Sequence, residues 1–362
     1  MRAAQTPVKV FVFAPADPTG ETHQRLQDQG CELVFGNPAW ENPGETHEAE
    51  MAAMAAGCEA LVGTSIRSSP ITKRIMASSS NLRIVAKYSI GVDDVDVEAA
   101  TELGILVTHS PTESNWGGVA EGTVTCMLTM LKKVGERDRH LKEEAGWKES
   151  RLEGTYVGSR ADGYAGITLG LIGLGRVGGR VAALMRPWNM RILACDPYVP
   201  DAKFDELGVE RTDLNTLLSE SDVVSLHVVL NRETRHMIGA EQFGLMKPSA
   251  LFINTARGFC VDETALAEAL ERDRIAGAAI DAFEYEPLAA DSPLRRLGDK
   301  VLLSPHMISA TVGSGLGPGI SWATDSVLQA LRGEVPDCVF NQEVIPQWQS
   351  RFGGKSVWGA NA

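Results

Sequence analysis

The stretch that most constrains the fold is Leu169 to Val181, LGLIGLGRVGGRV. An apolar run through Ile167, Leu169, Leu171 and Ile172 has the pattern of a strand. It enters a glycine turn that opens a helix through Val177, Val181, Ala182 and Leu184. Gly173, Gly175 and Gly178 stand in the G-x-G-x-x-G spacing, which serves a tight turn, close backbone approach to a pyrophosphate, and close packing of helix on strand. The helix N-terminus adds N–H groups and the positive end of a dipole. With 36 glycines in 362 residues the spacing alone says little, and an ordinary β-turn-α unit is the alternative. The context favours dinucleotide binding: a second apolar run, Met190 to Cys195, ends in Asp196, where an acid for the ribose 2′-hydroxyl belongs.

A chain of 362 residues exceeds the usual single core, so two domains are expected. Short apolar runs at Val8 to Phe13, Leu33 to Phe35, Ala60 to Val62, Leu82 to Ala86 and Ile105 to Val107 alternate with helical segments such as Glu48 to Ala56 and Val95 to Leu103. That alternation implies a parallel sheet with both faces covered. From Asn115 a long helix is expected, continuing into the charged stretch Lys132 to Glu144 as a crossing between domains. After the polar, loop-like insert Lys148 to Tyr164, the second domain adds strands at Val223 to Val229, Leu251 to Asn254, Ile275 to Ile280 and Val301 to Leu303, with Asp262 as a helix cap. Gly313 to Gly319 reads as a hinge or substrate-side loop. Trp322 to Leu331 is helical, and the remainder is too short for a further domain, so the chain is expected to return to the first. The expected fold is α/β, two doubly wound parallel-sheet domains of Rossmann-like and flavodoxin-like type: residues 1–114 with 309–362 for substrate, and 115–308 for the cofactor.

A net charge of −13 argues against nucleic acid or an anionic membrane as partner, so an anionic substrate needs a local cluster of cations. Six scattered cysteines without C-x-x-C point to structural thiols in a reducing cytoplasm, with no metal site expected. Neither a signal-type apolar core nor a run of membrane-spanning length is seen.

Open parallel sheets bind ligands outside the carboxyl ends of their strands. Three such ends in the second half lead into polar residues: Arg257 after Asn254, Glu286 after Ile280, and His306 after Leu303. Hydride transfer to a 2-keto acid needs a cation for the carboxylate or carbonyl and a group that gives and takes a proton. Arg257 and His306 supply both, and Glu286 would orient the histidine and favour its charged form. Taken singly, Arg257 is a solvated loop charge and Glu286, before Pro287, a surface turn. His109 and His227 also end strands; His227 either lines the cofactor cleft or is a satisfied histidine at the sheet edge.

INTARG (Ile253 to Gly258), DAFEYEP (Asp281 to Pro287), SPHMISAT (Ser304 to Thr311) and GLIGLGRVG, with SIGVDDVD (Ser89 to Asp96) and VAE (Val119 to Glu121), resemble the signatures of the D-isomer-specific 2-hydroxyacid dehydrogenases. The resemblance runs from about Val8 to Pro346. It implies that Arg257, Glu286 and His306 are the catalytic three, with the active-site cleft between the two domains. It implies NAD as cofactor, held by Gly173, Gly175, Arg176, Val177, Gly178, Asp196, His227, Thr255, Ala256 and Asp281, the last at the nicotinamide carboxamide. Backbone amides of Ser89, Ile90 and Gly91 would hold the substrate carboxylate, with Arg67 a further candidate. A homodimer is the family expectation.

The chain departs from the family where His227-Val228-Val229 replaces H-x-P, where Cys195 replaces an aromatic residue before Asp196, and in the longer insert 148–164. Glu286 argues against formate as substrate, because formate dehydrogenases pair the histidine with glutamine. The preferred reading is an NAD-dependent oxidoreductase acting on a small anionic 2-hydroxy or 2-keto acid, by reduction of hydroxypyruvate or glyoxylate. D-3-phosphoglycerate oxidation is an alternative, and a binding protein that senses NAD(H) without turnover is an alternative of another class.

Overall fold

The structure, a computed structural model, describes residues 7–41, 47–66, 69–143, 146–310 and 316–359. The chain divides into two compact units, Met1–Asn115 with Thr311–Ala362, and Trp116–Ala310.

The first unit is built on a parallel sheet of β1 (Val8–Ala14), β2 (Cys31–Phe35), β3 (Ala60–Gly63), β4 (Ile84–Lys87) and β5 (Leu106–Thr108), in the order β2-β1-β3-β4-β5. Alternate residues of β1 face opposite sides. Val8, Val10 and Val12 pack under the C-terminal helices with Val327, Leu331 and Trp348, while Phe11 and Phe13 pack with Trp40, Met51 and Leu61. Such two-faced burial explains the near-continuous apolar runs. The returning chain closes this unit: Val339 bridges Thr108, and buried Asn341 donates to Ile105 O at 3.0 Å while accepting from Val107 N at 2.8 Å. Its helix spans Gly317–Arg332, so Gly317 to Gly319 open a helix where a loop was expected, and residues 313–315 lie outside the described residues. Gly319 is needed there because any side chain would strike the Tyr88 carbonyl oxygen.

The second unit holds seven parallel strands: β6 (Thr168–Ile172), β7 (Arg191–Cys195), β8 (Glu210–Arg211), β9 (Val223–Leu226), β10 (Leu251–Asn254), β11 (Gly277–Ile280) and β12 (Val301–Leu303). Their order, β12-β11-β10-β9-β6-β7-β8, reverses direction between β6 and β9, which makes that point the switch crevice of a doubly wound sheet. Asp262 caps the helix Glu263–Glu271 by accepting from Ala265 N at 2.9 Å, worth about 1 kcal/mol.

Two expectations need correction here. The helix Glu113–Leu131 does not run on through the charged stretch: Lys133 adopts φ 51°, and a separate helix, Val134–Glu143, follows. Nor is the insert a loose loop. Ile167 N donates to Val157 O at 2.9 Å, Ser159 N to Asn189 O at 2.8 Å and Thr155 N to Leu131 O at 2.8 Å, and Leu152 and Val157 are buried. Polar composition suggested a solvated loop, but two buried side chains and these long-range backbone bonds tie the segment to its own unit.

Candidate active site

Because all seven strands of the second unit are parallel, their carboxyl ends share one edge, and all but β8 lead into a candidate residue or its loop. At the end of β6, Gly173 has φ 94°, and a side chain there would stand 2.7 Å from His227 O. A side chain at Gly178 would overlap Gly173 O. Both glycines are therefore demanded by the protein itself. Gly175 differs: it is exposed, and a Cβ on it would meet nothing within 4 Å. Its glycine leaves an open approach at the start of the helix Arg176–Met185, whose N-cap supplies no side-chain hydrogen bond to the first amides. An uncapped helix start beside an open glycine fits a pyrophosphate. Arg176 is exposed and Val177 half-buried at the same turn.

At the end of β7 the Asp196 carboxylate accepts from Leu174 N at 2.8 Å and from Tyr198 N at 2.9 Å. This fixes an acid next to the glycine turn. At the end of β9, His227 is half-buried with Nε2 2.9 Å from Ser225 Oγ, and burial pushes its pKa down to about 4. The ring is thus neutral at pH 7 and already partnered. Thr255, after β10, is buried with its hydroxyl 2.8 Å from that of Thr123, and Ala256 N donates to Asn254 Oδ1 at 3.1 Å.

The three proton- and charge-handling candidates lie on the loops after β10, β11 and β12. Gly258 presses on the Phe283 backbone so closely that no side chain would fit, which holds the Arg257 loop against the segment leading to Glu286. Glu286 Oε1 accepts from Phe283 N at 3.0 Å and lies 2.8 Å from His306 Nδ1. The Glu286 side chain is 10% exposed and that of His306 29%, so the carboxylate is sheltered and the ring accessible. A carboxylate only accepts, which places a proton on Nδ1 and turns Nε2 to other work. His306 itself adopts φ 54°, a left-handed conformation that costs a non-glycine residue about 1–3 kcal/mol. Asp281 pins that turn by accepting from Met307 N at 3.0 Å and Ile308 N at 3.3 Å. Arg257 is half-buried, with one guanidinium nitrogen 2.7 Å from Ala256 O.

Asn254 escaped the sequence reading except as a strand end. Buried, it donates to Arg257 O at 3.1 Å and lies 3.5 Å from Ala282 O, so one side chain joins the Arg257 and Glu286 loops. Its place as the last strand residue before T-A-R was the available signal. The backbone role of Asp281 left no trace in the sequence.

In the first unit, Ser89, Ile90 and Gly91 follow β4. Their carbonyls are engaged: Ser89 O accepts from Ser110 N at 2.9 Å, Ile90 O lies 3.2 Å from His109 Nδ1, and Gly91 O accepts from Ser89 Oγ at 3.1 Å. None of their three amides donates to an acceptor among the described residues. Successive half-buried N–H groups left over in this way suit an anion. Arg67 lies outside the described residues. Among the described residues no cluster could hold a metal ion, and no helix is long and apolar enough to cross a membrane. No disulfide joins any of the six cysteines, and burial raises the thiols of Cys31, Cys58 and Cys126 to about 11, which keeps them unreactive.

Residues 124–307 match the family described as D-isomer specific 2-hydroxyacid dehydrogenase, NAD binding domain. A glyoxylate reductase from Korarchaeum cryptofilum is 39% identical over 296 residues, which cover 80% of this chain and 84% of the relative. A D-3-phosphoglycerate dehydrogenase from Methanocaldococcus jannaschii is 38% identical over 278 residues, 76% of this chain but 51% of the relative. The chain thus spans about half the length of that second relative. The structure of D-lactate dehydrogenase from Aquifex aeolicus, complexed with NAD and lactic acid, superposes with a TM-score of 0.76 at 27% identity, covering 90% of this chain and 96% of that one.

Proposed function

The chain belongs to the D-isomer specific 2-hydroxyacid dehydrogenase family, and on that premise we propose that it is an NADH-dependent reductase of a small 2-keto acid, glyoxylate or hydroxypyruvate. The observation that carries the reading is the Glu286 to His306 contact of 2.8 Å on the same strand edge as the glycine turn. When bound, the nicotinamide supplies the hydride that reduces C2. Gly173, Gly175 and Gly178 with the amides of the helix that follows would hold the pyrophosphate, and Asp196 the ribose. A carboxylate there repels a 2′-phosphate, which favours NADH over NADPH.

The protein's part is charge and proton handling. Arg257 binds the substrate's carboxylate or carbonyl oxygen through directed N–H bonds. His306, held at Nδ1 by Glu286, gives a proton from Nε2 to the carbonyl oxygen as it becomes a hydroxyl. In the reverse direction neutral Nε2 takes that proton. The amides of Ser89, Ile90 and Gly91 hold the substrate carboxylate. A glyoxylate reductase 39% identical over 80% of this chain supports the reductase reading. Six cysteines without a disulfide, four of them buried, support a reducing cytoplasm, and the family supports a homodimer. The test is loss of NADH absorbance with a panel of glyoxylate, hydroxypyruvate and pyruvate, and gain of NADH with D-3-phosphoglycerate. NADH binding without turnover of any of them would turn the reading to a sensor.

A further inference from the structure

We infer that the buried ion pair between Lys87 and Asp94 positions the loop Ser89–Gly91 for the substrate carboxylate, an inference that rests on the reading of that loop given above. The two residues are the two ends of the loop. Lys87 closes β4, and its side chain is fully buried, with Nζ 2.6 Å from Asp94 Oδ2, 2.9 Å from Thr64 O and 5.2 Å from the centre of the Phe13 ring. Asp94 in turn accepts from Ile66 N at 3.2 Å and lies 3.3 Å from Ser65 Oγ. One charge pair therefore closes the loop at its base and ties both ends to the segment that follows β3.

Stability alone does not account for such a pair. Taking two charges out of water costs much of what their attraction returns, and well-packed apolar residues of similar volume often serve a fold as well. What an apolar pair cannot do is hold two backbone segments at hydrogen-bond distance in one register. The far side of the loop is held separately: Ser110 N donates to Ser89 O, and Ser110 Oγ lies 2.8 Å from Lys87 O and 3.0 Å from Gly319 O. With its base and its carbonyls fixed, the loop has three amides left to face an anion. The rest of the unit has its own ties, since Ile71 pairs with Val95 and donates to Asp94 O at 2.7 Å. Loss of the ion pair should thus loosen the loop within a folded unit.

The double variant Lys87→Met/Asp94→Asn removes both charges at nearly constant volume. Its KM for glyoxylate and for hydroxypyruvate should rise by about tenfold or more and by a common factor, since the loop holds the group the substrates share. The Kd of oxamate, which carries the same carboxylate, should rise in parallel. The kcat should change by less than about threefold, and the Kd of NADH should stay within about twofold. Asp94→Glu keeps the charge but moves the carboxylate by one methylene; it should show the same split of KM from kcat and covers the case in which the double variant does not fold. Folded variants whose substrate KM and oxamate Kd stay within about twofold of wild type would overturn the inference. Oxamate binding needs no turnover, so it reads the ion pair even where a wild type inactive on the whole panel overturns the proposed activity.

Discussion

Glu286 Oε1 stands 3.0 Å from Phe283 N and 2.8 Å from His306 Nδ1, so one carboxylate oxygen fixes its own turn and the imidazole that follows the next strand. Glutamine can keep an acceptor for Phe283 N but carries no charge to stabilise a protonated ring. Glu286→Gln should therefore fold normally and bind NADH with unchanged Kd while losing about 10²- to 10³-fold in kcat/KM for 2-keto acid reduction. Steady-state kinetics beside NADH fluorescence titration checks this, and near wild-type kinetics would leave the Glu286 contact with His306 a structural one only.

The glycines of the phosphate turn should separate stability from binding. A methyl at Gly175 meets nothing in the protein, so Gly175→Ala should cost no more than about 1 kcal/mol of stability. Its NADH affinity should nevertheless fall on the order of tenfold or more, because the methyl enters the approach to the pyrophosphate. Gly178→Ala strikes Gly173 O instead and should cost about 1–3 kcal/mol. Urea unfolding and NADH titration of the two variants give the contrast. Equal stability losses would contradict it.

The packed insert makes the next prediction. Gly158 lies so close to the Trp188 carbonyl oxygen that no side chain fits, and Gly154 packs on the Lys132 backbone. Gly158→Ala should destabilise the protein by about 1–3 kcal/mol, and removal of residues 148–164 should prevent the cofactor unit from folding. A deletion variant with native unfolding behaviour would restore the picture of a dispensable loop.

His227 sets a pH dependence. Burial lowers its pKa from 6.5 to about 4, so between these values the unfolded chain carries a proton that the folded chain refuses. The stability it contributes is full above pH 6.5 and is lost as pH falls toward about 4, with a slope of at most about 1.4 kcal/mol per pH unit, discounted for partial exposure. Urea unfolding without NADH at about pH 7 and about pH 5 should show a larger loss in wild type than in His227→Gln, which cannot titrate. Equal losses would place the proton elsewhere.

Much of this site could be read from the chain because its information is local. The glycine turn, the acid ending the next strand, and polar residues just past apolar runs are short-range patterns, and a parallel sheet brings such strand ends to one edge. The candidates Arg257, Glu286 and His306 come from such patterns. The features that escaped depend on contacts between distant segments. The sequence gives no sign that Asn254 reaches both Arg257 O and Ala282 O, that Asp281 holds Met307 N and Ile308 N, or that Val157 pairs with Ile167. Strand β8, two residues long and exposed, has no apolar pattern to reveal it, and the break at Lys133 is a single backbone angle within a helix-forming run.

The central claim, that His306 moves the proton in a nicotinamide-dependent reduction, is tested most directly by NADH oxidation with glyoxylate and hydroxypyruvate in wild type and His306→Ala. The account predicts turnover by the wild type, a loss of about 10²- to 10⁴-fold in kcat/KM in the variant, and an NADH Kd within about twofold of wild type. Turnover undiminished in His306→Ala, or a wild type that binds NADH and reduces neither acid, would contradict it.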